Sequence, residues 1–169
     1  RGCMGPMDDV FDQGAKFLSA FASVLAPKTE AEIDKLLDQI PDDGTPRSFP
    51  VLADRQDAWT RYPAQRIGAV YLIRQPGEEK PIAFTAKCPH AGCFIGYTPG
   101  DKVFQCPCHT SAFKLDGVRV HGDAEVAPRD MDRLPVELRN VTADGDTVTE
   151  VWVEFIDFLT GREEQVPSA

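Results

Sequence analysis

CPHAGCFIGYTPGDKVFQCPCHTSAF, residues 88–113, holds four of the chain's five cysteines and two of its three histidines. They fall into two near-repeats, Cys-Pro-His-Ala-Gly-Cys at 88–93 and Cys-Pro-Cys-His-Thr-Ser at 106–111. Read as a metal site, the first supplies Cys88 and His90, and the second supplies Cys106 and His109. Zinc accepts two thiolates and two imidazoles readily, but zinc fingers usually place both cysteines first, whereas here each half brings one of each. Zinc also leaves Cys93 and Cys108 without a role. These residues favour an iron–sulfur centre and leave structural zinc open.

Outward from this stretch, the pattern is that of short strands. IGAVYLIR (67–74) and PIAFTAK (81–87) are β-rich runs on either side of a Pro76-Gly77 turn. Phe94–Tyr97 and Lys102–Gln105 flank Pro99-Gly100, which suits a type II turn. Phe113–Leu115 and Val118–Val120 flank Asp116-Gly117, a two-residue hairpin signal. Leu134–Asn140 and Thr147–Phe158 add two more strands, the second alternating apolar and polar residues as a half-buried strand does. Strands at this spacing predict a mainly β domain, an antiparallel β-sandwich or small barrel with the cysteine–histidine loops at hairpin tips.

The paired loops resemble those of Rieske [2Fe–2S] proteins, where Cys-x-His and Cys-x-x-His are joined by two disulfide-forming cysteines. The surplus cysteine pair makes them similar to the high-potential branch, the iron–sulfur subunits of cytochrome bc-type quinol-oxidising complexes. The resemblance is strong over 88–113, looser over about 67–161, and absent from 1–46. It implies that Cys88 and Cys106 hold one iron, His90 and His109 the other, and that Cys93–Cys108 is a disulfide clasping the loops. Potentials of such centres run from roughly −150 to +300 mV, against about −400 mV for plant-type ferredoxins. It also implies proton-coupled electron transfer, with His109 as the residue that hydrogen-bonds quinol. The implied partners are a cytochrome b-like quinol-oxidising subunit, quinol, and a c-type cytochrome as acceptor.

Around these ligands, Ser111 matches a family serine that hydrogen-bonds a bridging sulfide. Phe113 stands where the family often has a tyrosine bonded to a cysteine sulfur. Ala91 replaces the larger apolar residue common in quinol-oxidising subunits. Pro128, in APRDMDRLPVEL (127–138), is the candidate to cover the cluster from the third side. The small Rieske subunit of a molybdenum oxidase resembling arsenite oxidase is the alternative, since it shares the disulfide and often a phenylalanine in place of that tyrosine. His121 reads as a surface histidine; Trp59 and Trp152 read as packing in the core or at its edge.

Before this domain, residues 8–26 carry an apolar stripe at helical spacing, ended by Pro27. Thr29 and Glu32 form a capping box opening a second helix whose apolar face is Ile33, Leu36, Leu37 and Ile40. This helical hairpin occupies an N-terminal appendage, 1–46, with a turn-rich linker at 41–50; residues 47–169 form the β domain. With 27 acidic and 18 basic residues the net charge is −9, which argues against nucleic acid. A disulfide implies an oxidising compartment. The chain starts at Arg1 rather than Met, and the resemblance implies an upstream membrane-anchoring helix with the domain on the extracytoplasmic side.

Overall fold

GAVYLI, residues 68–73, is apolar throughout, and every one of these residues is buried. A strand covered on one face alternates, whereas a strand covered on both reads as a continuous apolar run. The computed structural model describes residues 36–168 except 57, 123, 124, 144 and 145. Its elements are α1 (Leu36–Gln39), β1 (Arg47–Gln56), β2 (Arg61–Ile73), β3 (Ile82–Thr85), β4 (Gly96–Thr98), β5 (Val103–Gln105), β6 (Ala112–Phe113), β7 (Arg133–Leu134), β8 (Val136–Ala143) and β9 (Asp146–Val153). The central sheet runs β1-β2-β3-β7, a second runs β4-β5-β6, and β8 pairs with β9, all antiparallel.

Period-2 geometry sends Ala69, Tyr71 and Ile73 of β2 into one core, with Phe84, Phe104, Phe113, Cys88 and Cys106. Val70 and Leu72 point the other way, into a core shared with Ile40, Phe49, Leu134 and Val151. The expected antiparallel sandwich is thus a central sheet with a smaller sheet on each face. Side chains such as Leu72 and Ile73, at 0% exposure, each stabilise the fold by about 1.5–3 kcal/mol relative to exposure.

Several expectations need correction. The second half of the supposed linker, from Arg47, is strand β1. Its Pro50 pairs with Ala69 and is tolerated because β1 is an edge strand that need not donate every ladder bond. β2 starts at Arg61, not 67, because its first half, Arg61–Ile67, is exposed and so carries no apolar periodicity. There β1 and β2 form a ribbon with a register shift between Ala53 and Arg55. Ala64 lies opposite the shift at φ 50°, its N–H donating to Asp54 Oδ1 at 3.0 Å. Trp59, expected to pack, is 94% exposed between the two strands.

Pro76-Gly77 does form its turn, with Glu78 N–H on Gln75 O at 3.0 Å and Gly77 at φ 80°. Pro99-Gly100 is not a type II turn. Thr98 pairs with Val103, so the connection runs from Pro99 to Lys102, and Lys102, at φ 52°, takes the left-handed position. At Asp116-Gly117 the hairpin forms with one more loop residue: Lys114 N–H donates to Val118 O and Gly117 N–H to Lys114 O, both at 2.9 Å. Gly117 needs its glycine twice over, for φ 85° and because a Cβ would sit 2.5 Å from Phe84 Cε1. β9 ends at Val153, short of Phe158. The chain leaves the ladder there to lay the Phe155 ring on Gly68, where a Cβ would lie 2.6 Å from Cζ, and to bury Phe158.

The helix expected over 8–26 and the start of the one from Thr29 lie outside the described residues. The last turn of the second is α1, and Ile40 beyond it is buried at 1% exposure. Residues 41–46 are tied to the sheet as well, through Gly44 N–H on Arg74 O at 2.9 Å.

Candidate metal centre

Both near-repeats are closed loops of the same design. Cys88 N–H donates to Cys93 O at 2.8 Å, and Cys106 N–H donates to Ser111 O at 2.9 Å. In the first, Gly92 N–H also donates to Cys88 O at 2.9 Å, with Gly92 at φ 77°, where a side chain would be strained. The loops are pinned at their bases, the first by a Lys87–Phe94 bridge and the second by the Gln105–Ala112 pair of β5 and β6. The repeat seen in the sequence is therefore a repeat of backbone hydrogen bonding.

These loops bring the predicted residues together. Cys88 and Cys106 are buried, at 0% and 3% exposure. His90 is half-buried and His109 exposed. Their rings meet edge-on with centroids 4.5 Å apart and planes at 84°. The sulfurs of Cys93, Cys106 and Cys108 lie within 4.8 Å of one another, so both surplus cysteines come to the same place. Ser111 and Phe113 are fully buried, Ala91 is exposed, and Pro128 is half-buried between buried Ala127 and Arg129. His121 is exposed. Trp152 lies half-buried at an edge, its Nε1–H donating to Glu150 and the Arg139 guanidinium 3.9 Å above its ring.

Two features fit a bound metal cluster. Among the described residues, His90 Nδ1 and Ser111 Oγ are buried polar atoms with no hydrogen-bond partner. Such orphans cost free energy unless a bound group satisfies them. Burial pushes the Cys88 thiol up to about 11, while the backbone N–H of His90 works against it and the neighbouring Cys106 adds to it. A buried thiol with backbone donors aimed at its sulfur is poised to exchange its proton for a metal ion.

Besides Pro128, the C-terminal segment borders the site, a contact that the sequence reading did not place. Gly161, at φ 71°, donates its N–H to Pro89 O at 2.8 Å, bringing the C-terminal segment onto the first loop. No short motif marks it; the Asp-Phe-Leu-Thr-Gly run (157–161) reads simply as a strand end.

Comparison with known proteins agrees with this geometry. The Rieske [2Fe-2S] domain family matches residues 39–139, and the chain belongs to that family, whose cofactor is a [2Fe–2S] cluster. It is 34% identical over 96 residues to the cytochrome b6-f complex iron-sulfur subunit of Microcystis aeruginosa, covering 55% of this chain and 49% of that protein. It is 32% identical over 107 residues to the corresponding subunit of Synechococcus sp. (strain JA-3-3Ab), covering 62% and 58%. The chain thus spans about half the length of these relatives. A cyanobacterial plasma membrane Rieske protein, PetC3 of Synechocystis PCC 6803, matches loosely, with 22% identity and a TM-score of 0.34 over 49% of this chain and 77% of that one. Among the described residues, no helix is long and apolar enough to cross a membrane.

Proposed function

We propose that this chain is the electron-transfer head of a cytochrome bc-type quinol-oxidising complex, with Cys88, His90, Cys106 and His109 as cluster ligands and Cys93–Cys108 as a disulfide. The observation that carries the reading is the meeting of the two loops, buried thiols behind and paired imidazoles in front, the outer one exposed. When bound, the cluster supplies a one-electron acceptor whose potential is raised because two neutral imidazoles replace two thiolates. Cys88 and Cys106 hold its buried side and exclude water there. His90 and His109 would hold its other side, and the buried Nδ1 of His90, without a hydrogen-bond partner among the described residues, is open for that role. The exposed ring of His109 is the group placed to meet quinol and take its proton. Ser111 Oγ is a donor kept for the cluster's sulfur. The acceptor is a c-type cytochrome, and the complex lies on the extracytoplasmic face of its membrane. The support for partners and location is the likeness to cytochrome b6-f iron-sulfur subunits.

Protein-film voltammetry across pH tests this reading. Reduction adds negative charge at the site and so favours proton uptake there, and by linkage proton-coupled electron transfer makes the potential fall as pH rises. A potential flat from about pH 5 to about pH 11 would exclude proton-coupled electron transfer at this site.

Phe113 provides a finer test. It is fully buried in the same core as both candidate thiolates, and in the resembling subunits a tyrosine at this place bonds a cysteine sulfur. A donor to a thiolate favours the reduced, more electron-rich state, so Phe113→Tyr is expected to raise the potential. A preference of about 1.5 kcal/mol corresponds to roughly 65 mV at about 59 mV per tenfold. Ser111→Ala removes a donor and is expected to lower it comparably. An unchanged or lowered potential in Phe113→Tyr, cluster intact, shows that residue 113 does not face sulfur.

The disulfide is checked by mass spectrometry of native protein, where two free thiols at 93 and 108 would overturn it. Cys93→Ser is expected to destabilise the loops, by less than the ~3 kcal/mol nominal for a closed loop of about 15 residues, since metal already clasps them.

A further inference from the structure

The first loop is held by more than its own turn. Lys87, just before Cys88, runs its side chain back along the loop, its Cε 3.3 Å from where a Cβ on Gly92 would lie. Its ammonium donates to Asp157 Oδ1 at 2.6 Å and to Phe158 O at 3.1 Å. Further along the same segment, Thr160 Cγ2 is 3.6 Å from that Gly92 position, and Gly161 N–H bonds Pro89 O at 2.8 Å. The segment is fixed in turn from the core: Arg129 donates to Leu159 O at 2.9 Å and to Arg162 O at 2.6 Å. These contacts fall on residues 87–92, while the second loop is closed by its own hairpin.

The Lys87–Asp157 pair is too exposed, at 33% and 49% of its side chains, to contribute much stability; such pairs contribute little to folding free energy. What it does is directional. Two charge-assisted bonds from one ammonium fix the start of the loop against the segment whose Gly161 grips the loop between Cys88 and His90. We propose that Lys87 and Asp157 are positioning residues that set, through segment 157–162, where the His90 ring stands against His109. This rests on the reading of Cys88 and His90 as cluster ligands.

The test uses the intact chain with its cluster, comparing wild type with Lys87→Met, Asp157→Asn and Lys87→Arg. Amide hydrogen exchange in peptides covering 88–93 is expected to rise about two- to fivefold in the first two variants, with 106–111 unchanged. The electron paramagnetic resonance g-values of the reduced protein are expected to shift in both, because they report on the histidine-ligated iron. Lys87→Arg keeps a cationic donor and is expected to restore the wild-type spectrum and exchange. Equal loosening of both loops, or unchanged g-values in Lys87→Met, overturns the proposal. A wild-type protein that binds no iron defeats instead the ligand assignment on which it rests, so the two failures are distinguishable.

Discussion

Alanine at Cys88, His90, Cys106 or His109, one position at a time, is expected to give a folded protein that carries no iron and no visible colour. The expectation is all-or-none because each candidate ligand sits on a loop closed by its own backbone bonds, Cys88 N–H to Cys93 O and Cys106 N–H to Ser111 O. No neighbouring loop residue can swing in as a substitute without breaking them. The surplus cysteines Cys93 and Cys108 are near enough to tempt a metal, within 4.8 Å of Cys106, but joined in the disulfide proposed above they would not ligate. Folding should survive: losing one small buried sulfur is a modest core change. His121→Ala, at the exposed third histidine, is the control and should keep full iron. Iron analysis with the visible spectrum decides the matter. Full loading in any of the four variants would overturn the ligand set.

How much of this was legible in the residues follows from what local pattern can report. The β-rich run 67–74 announced a strand, though not that it is covered on both faces, and the repeated Cys-Pro loops announced a two-loop site. Both signals are local, one set by burial and one by ligand chemistry. The outer half of β2 was not legible, because exposed ladder residues such as Arg61, Gln65 and Arg66 have no reason to alternate. β1 was hidden by Pro50, which reads as a breaker unless its strand is known to lie at an edge. The Pro99-Gly100 turn was misread because the chain spends its left-handed residue at Lys102 instead. The docking of the C-terminal segment on the first loop was beyond reach: Lys87 meets Asp157 across a separation of 70 residues, and an ion pair of that span leaves no trace in spacing.

Arg129→Met is expected to destabilise the protein by about 3–5 kcal/mol, lowering Tm by roughly 10 °C or more. Arg129 and Asp132 have side chains only 7% and 4% exposed. They join through two bonds, Nε to Oδ1 at 2.7 Å and Nη2 to Oδ2 at 2.8 Å. In water such a pair contributes little, but here both charges have already lost their hydration, so removing one leaves the other buried and uncompensated. Among the described residues Asp132 keeps one donor, Gln165 Nε2 at 3.0 Å, too little to replace a guanidinium. The same substitution frees Leu159 O and Arg162 O, and with them the segment that reaches the first loop through Gly161. Pairing Arg129→Met with Asp132→Leu separates these two effects. Removing both charges should recover most of the stability, since an apolar pair of similar volume can match a buried ion pair. It should not recover the hold on segment 157–162, so hydrogen exchange there stays raised in the double variant. Thermal unfolding of the single variant within about 1 kcal/mol of wild type would show that the pair is hydrated in solution and that the clamp on the C-terminal segment lies elsewhere.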